Sequence, residues 1–296
     1  MNTFMYRDLQ KKDYFEGWYI RFTSSDDINF AVIFAITKDQ ENPHCFIQVF
    51  KDLDKLGLYF SFPVSSFSYN SDKQIISIDN NTLSLDKLYI DHEGVKIDVT
   101  ITNQDFIKNY KGPNSAMGYL YYAPLECFQE IVYLDSSTNG TVIIGDKAFN
   151  ISGKGYMEKT YGKNFPSNWI WIQSNHNIDG SALSFSVGKV PVLFFSIKGF
   201  LAFLKVDKKL YRFSTYNFSR ITVHQDKVII KKGRIKLIIS PSSKNPTELV
   251  GPMKKGKMVL PVYESISSTC DVLLTRGNKV LYKGSFTNVG LELMYQ

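Results

Sequence analysis

The chain has 296 residues, of which 44% are hydrophobic and 15% aromatic, and it carries a formal net charge of +7. This length and hydrophobic content suffice for a sizeable core, in either one large domain or two domains of about 150 residues. The positive charge favours anionic surfaces such as lipid head groups, but it forms no basic arm or stripe, so we expect no nucleic-acid partner.

Cysteine usage and hydropathy predict a soluble, cytoplasmic protein. Cys45, Cys127 and Cys270 are odd in number and lack a CxxC spacing, which is typical of free thiols in a reducing compartment. The four histidines are scattered without metal-ligand spacing, so we expect no metal. Residues 1–8 contain no apolar signal-peptide region, and residues 190–206 are interrupted too often to span a membrane.

The first predicted strand begins in an aromatic cluster at residues 14–21. Glu16 and Arg21 flank Trp18 there, just ahead of an apolar strand at residues 30–36. Trp18 can fill one end of a sheet's core, or Glu16 and Trp18 can face a ligand. Both interpretations stay open at the level of sequence.

The next candidate strand covers residues 44–50. His44 and Gln48 lie on one face of it, with Phe46 between them. This polar pair within an apolar strand suits a pocket wall. The alternative is a histidine that is bonded to a backbone carbonyl.

Hairpin patterns recur along the rest of the chain. Short apolar stretches are joined by turns rich in glycine, asparagine and aspartate, which is typical of an all-β sandwich or barrel. The five clearest hairpins join residues 88–90 to 95–101, 141–144 to 148–151, 170–174 to 182–187, 228–230 to 235–239 and 272–274 to 280–282. Evidence for helix is thin, since residues 123–132 fit either one short helix or an extended segment leading into Tyr133.

The most distinctive segment is residues 155–175, which contains a Glu-Lys pair, a loop bounded by glycine and proline, and two of the three tryptophans. In the strand after the loop, Trp169 and Trp171 share a face with two amides, Gln173 and Asn175. Such a face suits a large apolar ligand with a polar head group. The alternative is core packing, with the amides bonded to backbone groups.

A set of segments with unusual sequences runs through nearly the whole chain. They are residues 15–19 (Phe-Glu-Gly-Trp-Tyr), 44–49, 156–159 (Tyr-Met-Glu-Lys), Gly162, 165–166 (Phe-Pro), 169–175 (Trp-Ile-Trp-Ile-Gln-Ser-Asn) and 246–247 (Pro-Thr). Together, and in this order, they resemble the tocopherol cyclase family. The resemblance implies paired lipocalin-like barrels. In plant members it also implies closure of the chromanol ring of vitamin E from a prenylated hydroquinone.

Two places depart from the family pattern. Members often have tryptophan after Glu-Lys-Asp/Asn, whereas this chain has Thr160 and Tyr161. Members commonly have Asn-His after a cysteine in the middle of the chain, whereas here the cysteine is followed by Phe128 and Gln129. This chain therefore lacks the family's histidine, and with it any proton transfer that the histidine performs in the family.

Ring closure of this kind needs an acid that protonates an alkene carbon, aromatic faces that stabilise the cation, and polar groups that hold the hydroquinone. It needs no metal or redox cofactor. Glu158 is the first candidate for the acid, and its alternative role is an ion pair with Lys159 or Arg21. Glu16 and Glu126 are the other candidate acids.

The resemblance and the strand patterns also supply candidate relay and ligand-binding residues. Tyr156 and Tyr161 could relay a proton. The candidate ligand contacts are Trp18, His44, Gln48, Glu126, Tyr161, Trp169, Trp171, Gln173 and Asn175. Residues 194–204 carry aromatic side chains with lysines around them. They fit either an ordinary hairpin across Lys198-Gly199 or a rim in peripheral contact with a membrane.

The sequence thus predicts an all-β protein of two lipocalin-like antiparallel barrels or strongly curved sheets, packed side by side, with at most one or two short helices. The predicted domains are residues 1–162 and 163–296. The implied function is acid-catalysed cyclisation of a prenylated quinol or related isoprenoid, which would make the chain an intramolecular lyase or isomerase. The alternative is a non-catalytic lipocalin-like protein that binds an apolar ligand.

Overall fold

A computed structural model describes residues 3–7, 12–52, 54–107, 115–192 and 194–294, which form strands and short turns of 3₁₀ helix without an α-helix. The 3₁₀ turns are Val64–Ser66, Gly118–Tyr122, Thr215–Asn217 and Lys254–Gly256. The strands are β1 (Phe15–Ser24), β2 (Asn29–Thr37), β3 (His44–Lys51), β4 (Leu58–Pro63), β5 (Phe67–Asn70), β6 (Ile75–Ile78), β7 (Asn81–Leu83), β8 (Lys87–His92), β9 (Val95–Thr102), β10 (Cys127–Ile144), β11 (Lys147–Gly162), β12 (Ser167–Ser174), β13 (Ala182–Val192), β14 (Phe195–Val206), β15 (Lys209–Ser214), β16 (Arg220–Val223), β17 (Val228–Lys232), β18 (Ile235–Ser242), β19 (Thr247–Pro252), β20 (Met258–Arg276) and β21 (Lys279–Leu293). Among these residues, no helix is long and apolar enough to cross a bilayer.

The strands form two antiparallel sheets, one a nearly closed barrel and the other curved. The first sheet has eleven strands in the order β4-β3-β2-β1-β11-β10-β9-β8-β7-β6-β5. The second has ten, in the order β15-β14-β13-β12-β21-β20-β18-β17-β16, with β19 paired to β20. The predicted all-β architecture of two curved sheets is confirmed. The chain passes from one sheet to the other between β11 and β12, and the predicted domains themselves stay a prediction.

All five predicted hairpins are confirmed by the strand registers of β8–β9, β10–β11, β12–β13, β17–β18 and β20–β21. Of the two interpretations of residues 123–132, the short helix is wrong and the extended segment is right, because β10 already begins at Cys127. Extension lets β10 pair with β11 over almost its full length. The two long strands thereby carry the middle of the first sheet.

Three hydrophobic cores follow from the alternation of side chains along the strands. One fills the first sheet and includes Trp18 and Met157. A second fills the other sheet and includes Ile170 and Ile172. The third lies between the sheets and receives side chains from both, among them Tyr156 of β11 and Trp171 of β12. The intersheet core is where the candidate site lies.

Strands β13 and β14 pair as a hairpin, but the prediction that its turn lies at Lys198-Gly199 is wrong. Both residues lie within β14, opposite Lys189 and Gly188 of β13. Phe194 is fully exposed and Phe195 is 62% exposed near its tip. Contact of this tip with a membrane stays a prediction. Cys45, Cys127 and Cys270 are all buried free thiols.

Candidate functional site

Strand β11 sends alternate side chains to different cores, and this alternation separates two kinds of buried charge. Met157 packs in the core of the first sheet, whereas Tyr156 packs between the sheets. Since side chains two apart share a face, Glu158 lies on the intersheet side with Tyr156. Its neighbour Lys159 lies on the other side.

Glu158 is held between the sheets by three neutral donors. Tyr156 Oη donates to its Oε2 at 2.5 Å, Trp171 Nε1 at 3.0 Å and Gln129 Nε2 at 3.0 Å. The side chain is only 8% exposed. Burial raises the pKa of Glu158 above its ordinary value and outweighs the three hydrogen bonds, which lower it. This carboxyl group is therefore easier to protonate than an exposed glutamate.

Two further carboxyl groups reach the same region from the second sheet. Glu264 of β20 and Glu292 of β21 are direct cross-strand partners. Tyr19 Oη, on the first sheet, donates to Glu264 Oε1 at 2.5 Å, and Trp169 Nε1 donates to Glu292 Oε2. Trp169 and Trp171 share a face of β12, and each binds a different carboxyl group. Trp169 donates to Glu292, whereas Trp171 donates to Glu158.

Burial and mutual repulsion make these carboxyl groups hold protons. Burial, with the nearby Glu158 charge adding to it, raises the pKa of Glu292 to about 7. Burial, and then the charge of Glu292, raises the pKa of Glu264 well above its ordinary value. The hydrogen-bond donors to these carboxyl groups are neutral aromatic side chains, and the nearby Arg21 charge lowers the pKa of Glu264 by less than burial and Glu292 raise it.

Two cavities of about 130 Å³ each adjoin this carboxyl cluster. The first cavity lies against β13 and β14, and its apolar lining includes Leu120, Ile170, Val187, Phe200 and Leu201. The second cavity lies against β2, β3 and β19, and its apolar lining includes Ile33, Ala35, Phe46, Leu249 and Val262. Both linings contain Glu158, Thr160, Phe165, Trp169 and Glu292. The carboxyl cluster therefore lies at the junction of two apolar chambers.

Four of the predicted residues meet at this junction, and several others lie elsewhere. Tyr156, Glu158, Trp169 and Trp171 converge between the sheets. Glu16 instead forms an ion pair with Lys159, at 2.9 Å between Oε1 and Nζ, and both side chains are fully buried. The alternative role of Glu158 as the ion-pair partner of Lys159 is therefore wrong.

The other suggested cation, Arg21, does not bind Glu158 either. Its guanidinium donates to the backbone carbonyls of Gln173 and Asn288.

On the opposite face of the first sheet, Trp18 lies in the core and donates to the carbonyl of Phe4 at 2.9 Å. Trp18 therefore fills the sheet's interior, as the packing interpretation predicted.

Tyr161 packs away from the junction. Its ring stacks on Phe128, with centroids 5.1 Å apart, and lies under the Lys159 ammonium at 4.9 Å. Glu126 accepts a hydrogen bond from Asn164 Nδ2 at 2.5 Å, in the turn before β10. These contacts fix local structure beside the site.

The predicted polar contacts divide in the same way. His44 bonds the carbonyl of Asn42 and the hydroxyl of Tyr59, both at 2.7 Å, so the backbone-bonded interpretation is correct. Asn175 Nδ2 donates to Asp135 Oδ1 and to the carbonyl of Gly155. Gln173 is fully buried, and neither of its amide atoms has a partner among the described residues.

Sequence reasoning missed Tyr19, Glu264 and Glu292. A signal was present in Glu292, which lies between Leu291 and Leu293, but no strand was predicted there, and alternation alone assigns such a residue to solvent. Gln129 was noted only as a replacement for the family's histidine. In the structure it binds Glu158 directly.

Comparison with known proteins connects this geometry to a family. Residues 100–224 match the family model described as Tocopherol cyclase-like. This part of the chain is similar to a tocopherol cyclase-like domain. The match covers the long β10–β11 pair, the tryptophan strand β12 and the β13–β14 hairpin, which together line the first cavity. The resemblance predicted from the sequence motifs is confirmed, and a search of curated proteins gave no match.

Solved structures show the same tandem lipocalin-like fold over nearly the whole chain. An AttH-type protein from Nitrosomonas europaea matches with a TM-score of 0.53 at 13% identity, over 94% of this chain and 92% of its own. Kievitone hydratase from Nectria haematococca matches with a TM-score of 0.55 at 14% identity, over 95% of this chain and 89% of its own. CghA with Sch210972 gives 0.58 at 10% identity, over 96% and 89%. At these identities the likeness establishes the fold.

Proposed function

We propose that this tocopherol cyclase-like protein protonates an alkene in a prenylated quinol or related isoprenoid and closes a ring onto a phenol oxygen. The observation that carries the proposal is the position of Glu158. Its carboxyl group is buried at the junction of two apolar cavities, and all of its hydrogen-bond partners are neutral. A buried acid beside space for a hydrocarbon is what alkene protonation requires.

The steps balance without a co-reactant. The Glu158 carboxyl group gives its proton to one alkene carbon, which leaves a carboxylate and a tertiary carbocation. A phenol oxygen of the same ligand bonds to the cationic carbon. The phenol proton then passes to the carboxylate, which restores the acid. The ligand's atoms are conserved, so the reaction is an isomerisation.

Aromatic side chains around the junction support a short-lived cation. Trp171 and Tyr19 lie edge to face, with ring centroids 5.4 Å apart, and Trp169 contacts Phe165 in the same manner at 5.1 Å. Aromatic faces attract cations, and a dry pocket keeps water from trapping the cation. Water capture would give a hydrated product, and kievitone hydratase has this fold, so product analysis must separate the two outcomes.

Glu292 lines both cavities with Glu158 and is the direct cross-strand partner of Glu264. Two neighbouring carboxyl groups resist simultaneous ionisation, and their protons are lost in steps that belong to the pair. With its pKa raised to about 7, Glu292 holds a proton up to neutral pH. It then adds no negative charge that would oppose the carboxylate formed when Glu158 gives its proton.

Substitution of Glu158 tests the proposal. We expect Glu158→Gln to lower turnover of a prenylated hydroquinone by about 10²–10⁴-fold, which is the usual contribution of a general acid, and to leave ligand binding within about threefold. Glu93→Gln, at an exposed turn position, is the matched control and should retain wild-type turnover. Unchanged turnover in Glu158→Gln would remove this residue as the acid.

The same experiment distinguishes a carrier from an enzyme. A lipocalin-like carrier would bind the hydroquinone equally well in the wild type and in Glu158→Gln, and neither would form product. That outcome would replace the catalytic proposal with binding of an apolar ligand alone.

A further inference from the structure

Each cavity contains one glutamine, and the two amides differ in one respect. Gln129 in the first cavity has both amide atoms bonded, because Nε2 donates to Glu158 and Oε1 accepts from Ser186 Oγ at 2.6 Å. Gln48 in the second cavity has one atom bonded, since Oε1 accepts from the backbone N–H of Val250 at 3.2 Å. Its Nε2 has no partner among the described residues.

The unpaired Nε2 of Gln48 is unusual because the side chain is only 1% exposed. Buried amide donors are almost always satisfied, and an unsatisfied one is costly. Gln48 lies on the intersheet face of β3, between neighbours Ile47 and Val49 that pack into the first sheet's core. Val250 of β19 holds the carbonyl end of the amide, so the amide is anchored by one end. Its donor end is left for an acceptor in the second cavity.

A second polar group in this cavity points to the same kind of ligand. Glu264 lines the second cavity but not the first, and Tyr19 donates to one of its oxygens. A buried carboxyl group that keeps its proton can donate a hydrogen bond. The second cavity therefore offers two donors to a ligand, one from Gln48 and one from Glu264.

We propose that the second cavity binds the oxygen-bearing head of the ligand, with Gln48 Nε2 donating to a ligand oxygen, while the first cavity binds the hydrocarbon chain. This assignment rests on the proposed function and adds the orientation of the substrate. The ligand class is an amphiphile with a hydroxyl or carbonyl oxygen on a compact head and a prenyl chain. The reacting bond lies between head and chain, beside Glu158 and Glu292.

Substitution of Gln48 measures the head-group contact. The probes are geranylgeranyl hydroquinone and geranylgeranyl benzene, which differ only in the ring hydroxyls. We expect Gln48→Met to weaken hydroquinone binding by roughly tenfold and to leave benzene binding unchanged, because one hydrogen bond is lost. Gln48→Leu also removes the donor with a side chain of similar size and no titratable group. It should give the same selective loss if Gln48→Met fails to fold.

A matched pair of filling substitutions tests which cavity binds the chain. Gly199→Leu fills the first cavity, where an added Cβ meets only Val190 Cγ2, at 3.3 Å. Ala35→Leu fills the second cavity. We expect Gly199→Leu to weaken the binding of geranylgeranyl hydroquinone far more than the binding of prenyl hydroquinone. Ala35→Leu should weaken the binding of both to the same extent, because their head groups are identical.

The outcomes separate this inference from the proposed function. The orientation is wrong if Gln48→Met weakens the binding of both probes equally, or if Ala35→Leu weakens the binding of one chain length more than the other. In either case, turnover by the wild type would still support the proposed enzyme activity. If the wild type binds neither probe, the proposed function and the orientation are both overturned.

Discussion

Glu158 and Lys159 are neighbours in sequence, both deeply buried, and have opposite surroundings. Lys159 faces the interior of the first sheet, where its ammonium binds Glu16 at 2.9 Å and the carbonyl of Met5 at 2.6 Å. Glu158 faces the second sheet, where its partners are a phenol, an indole and an amide. Strand β11 thus places a lysine with a carboxylate partner on one side and a glutamate without a cationic partner among its hydrogen-bond contacts on the other.

The difference shows which buried charge can do chemistry. A carboxylate paired with an ammonium stays charged and has no proton to give. A buried carboxyl group with neutral partners is more easily protonated, and in this molecule it also adjoins two cavities. We therefore expect Lys159 and Glu16 to matter for stability and Glu158 to matter for turnover.

The largest effect is expected from breaking the ion pair. Lys159→Met leaves the buried Glu16 side chain without its ammonium partner, so the free energy of unfolding should fall by about 3–5 kcal/mol in chemical denaturation. Lys96→Met is the matched control. Its pair with Asp91 joins side chains that are both 54% exposed, and exposed pairs contribute less than about 1 kcal/mol. Equal losses in the two variants would contradict the structural role of the Lys159–Glu16 pair.

A smaller effect, confined to pH dependence, is expected from Glu292→Gln. Turnover by the wild type should fall as pH rises through about 7, because Glu292 then becomes charged and repels the carboxylate that Glu158 forms when it gives its proton. Glutamine stays neutral at this position, so the decline near pH 7 should disappear while turnover persists in acid. A decline that stays in place in Glu292→Gln would contradict this role of Glu292.

The same substitution has a stability signature of known sign. The pKa of Glu292 is raised from 4.5 to about 7 in the folded protein, so between these values the folded state binds more protons than the unfolded state. The free energy of unfolding should therefore fall as pH rises through this window. Glu292→Gln should flatten that slope in denaturation measured at several pH values.

Local patterns were enough to predict much of the fold and part of the site. Alternation predicted that Trp169, Trp171 and Gln173 share a face, and turn residues predicted the five hairpins. The contacts of Tyr19 with Glu264 and of Trp171 with Glu158 join different sheets. Strand periodicity predicts which side chains share a face of one sheet. It does not predict which residues of the other sheet pack against that face, so the carboxyl cluster could be found only in the tertiary structure.

The partner of Lys159 illustrates the same limit. Adjacent charges of opposite sign in a strand point to opposite faces, so Glu158 and Lys159 cannot pair with each other. The sequence alone did not identify which distant carboxylate takes the lysine. The structure assigns it to Glu16, because β1 and β11 are neighbours and Trp18 lies directly across from Lys159.

Turnover in heavy water tests the central claim, protonation of carbon by a buried acid, most directly. The carboxyl proton exchanges with solvent before each reaction. Ring closure of a prenylated hydroquinone in deuterium oxide should therefore place one deuterium on the carbon next to the new ether carbon, as read by mass spectrometry and NMR. A cyclised product without carbon-bound deuterium would contradict alkene protonation at the Glu158–Glu292 junction.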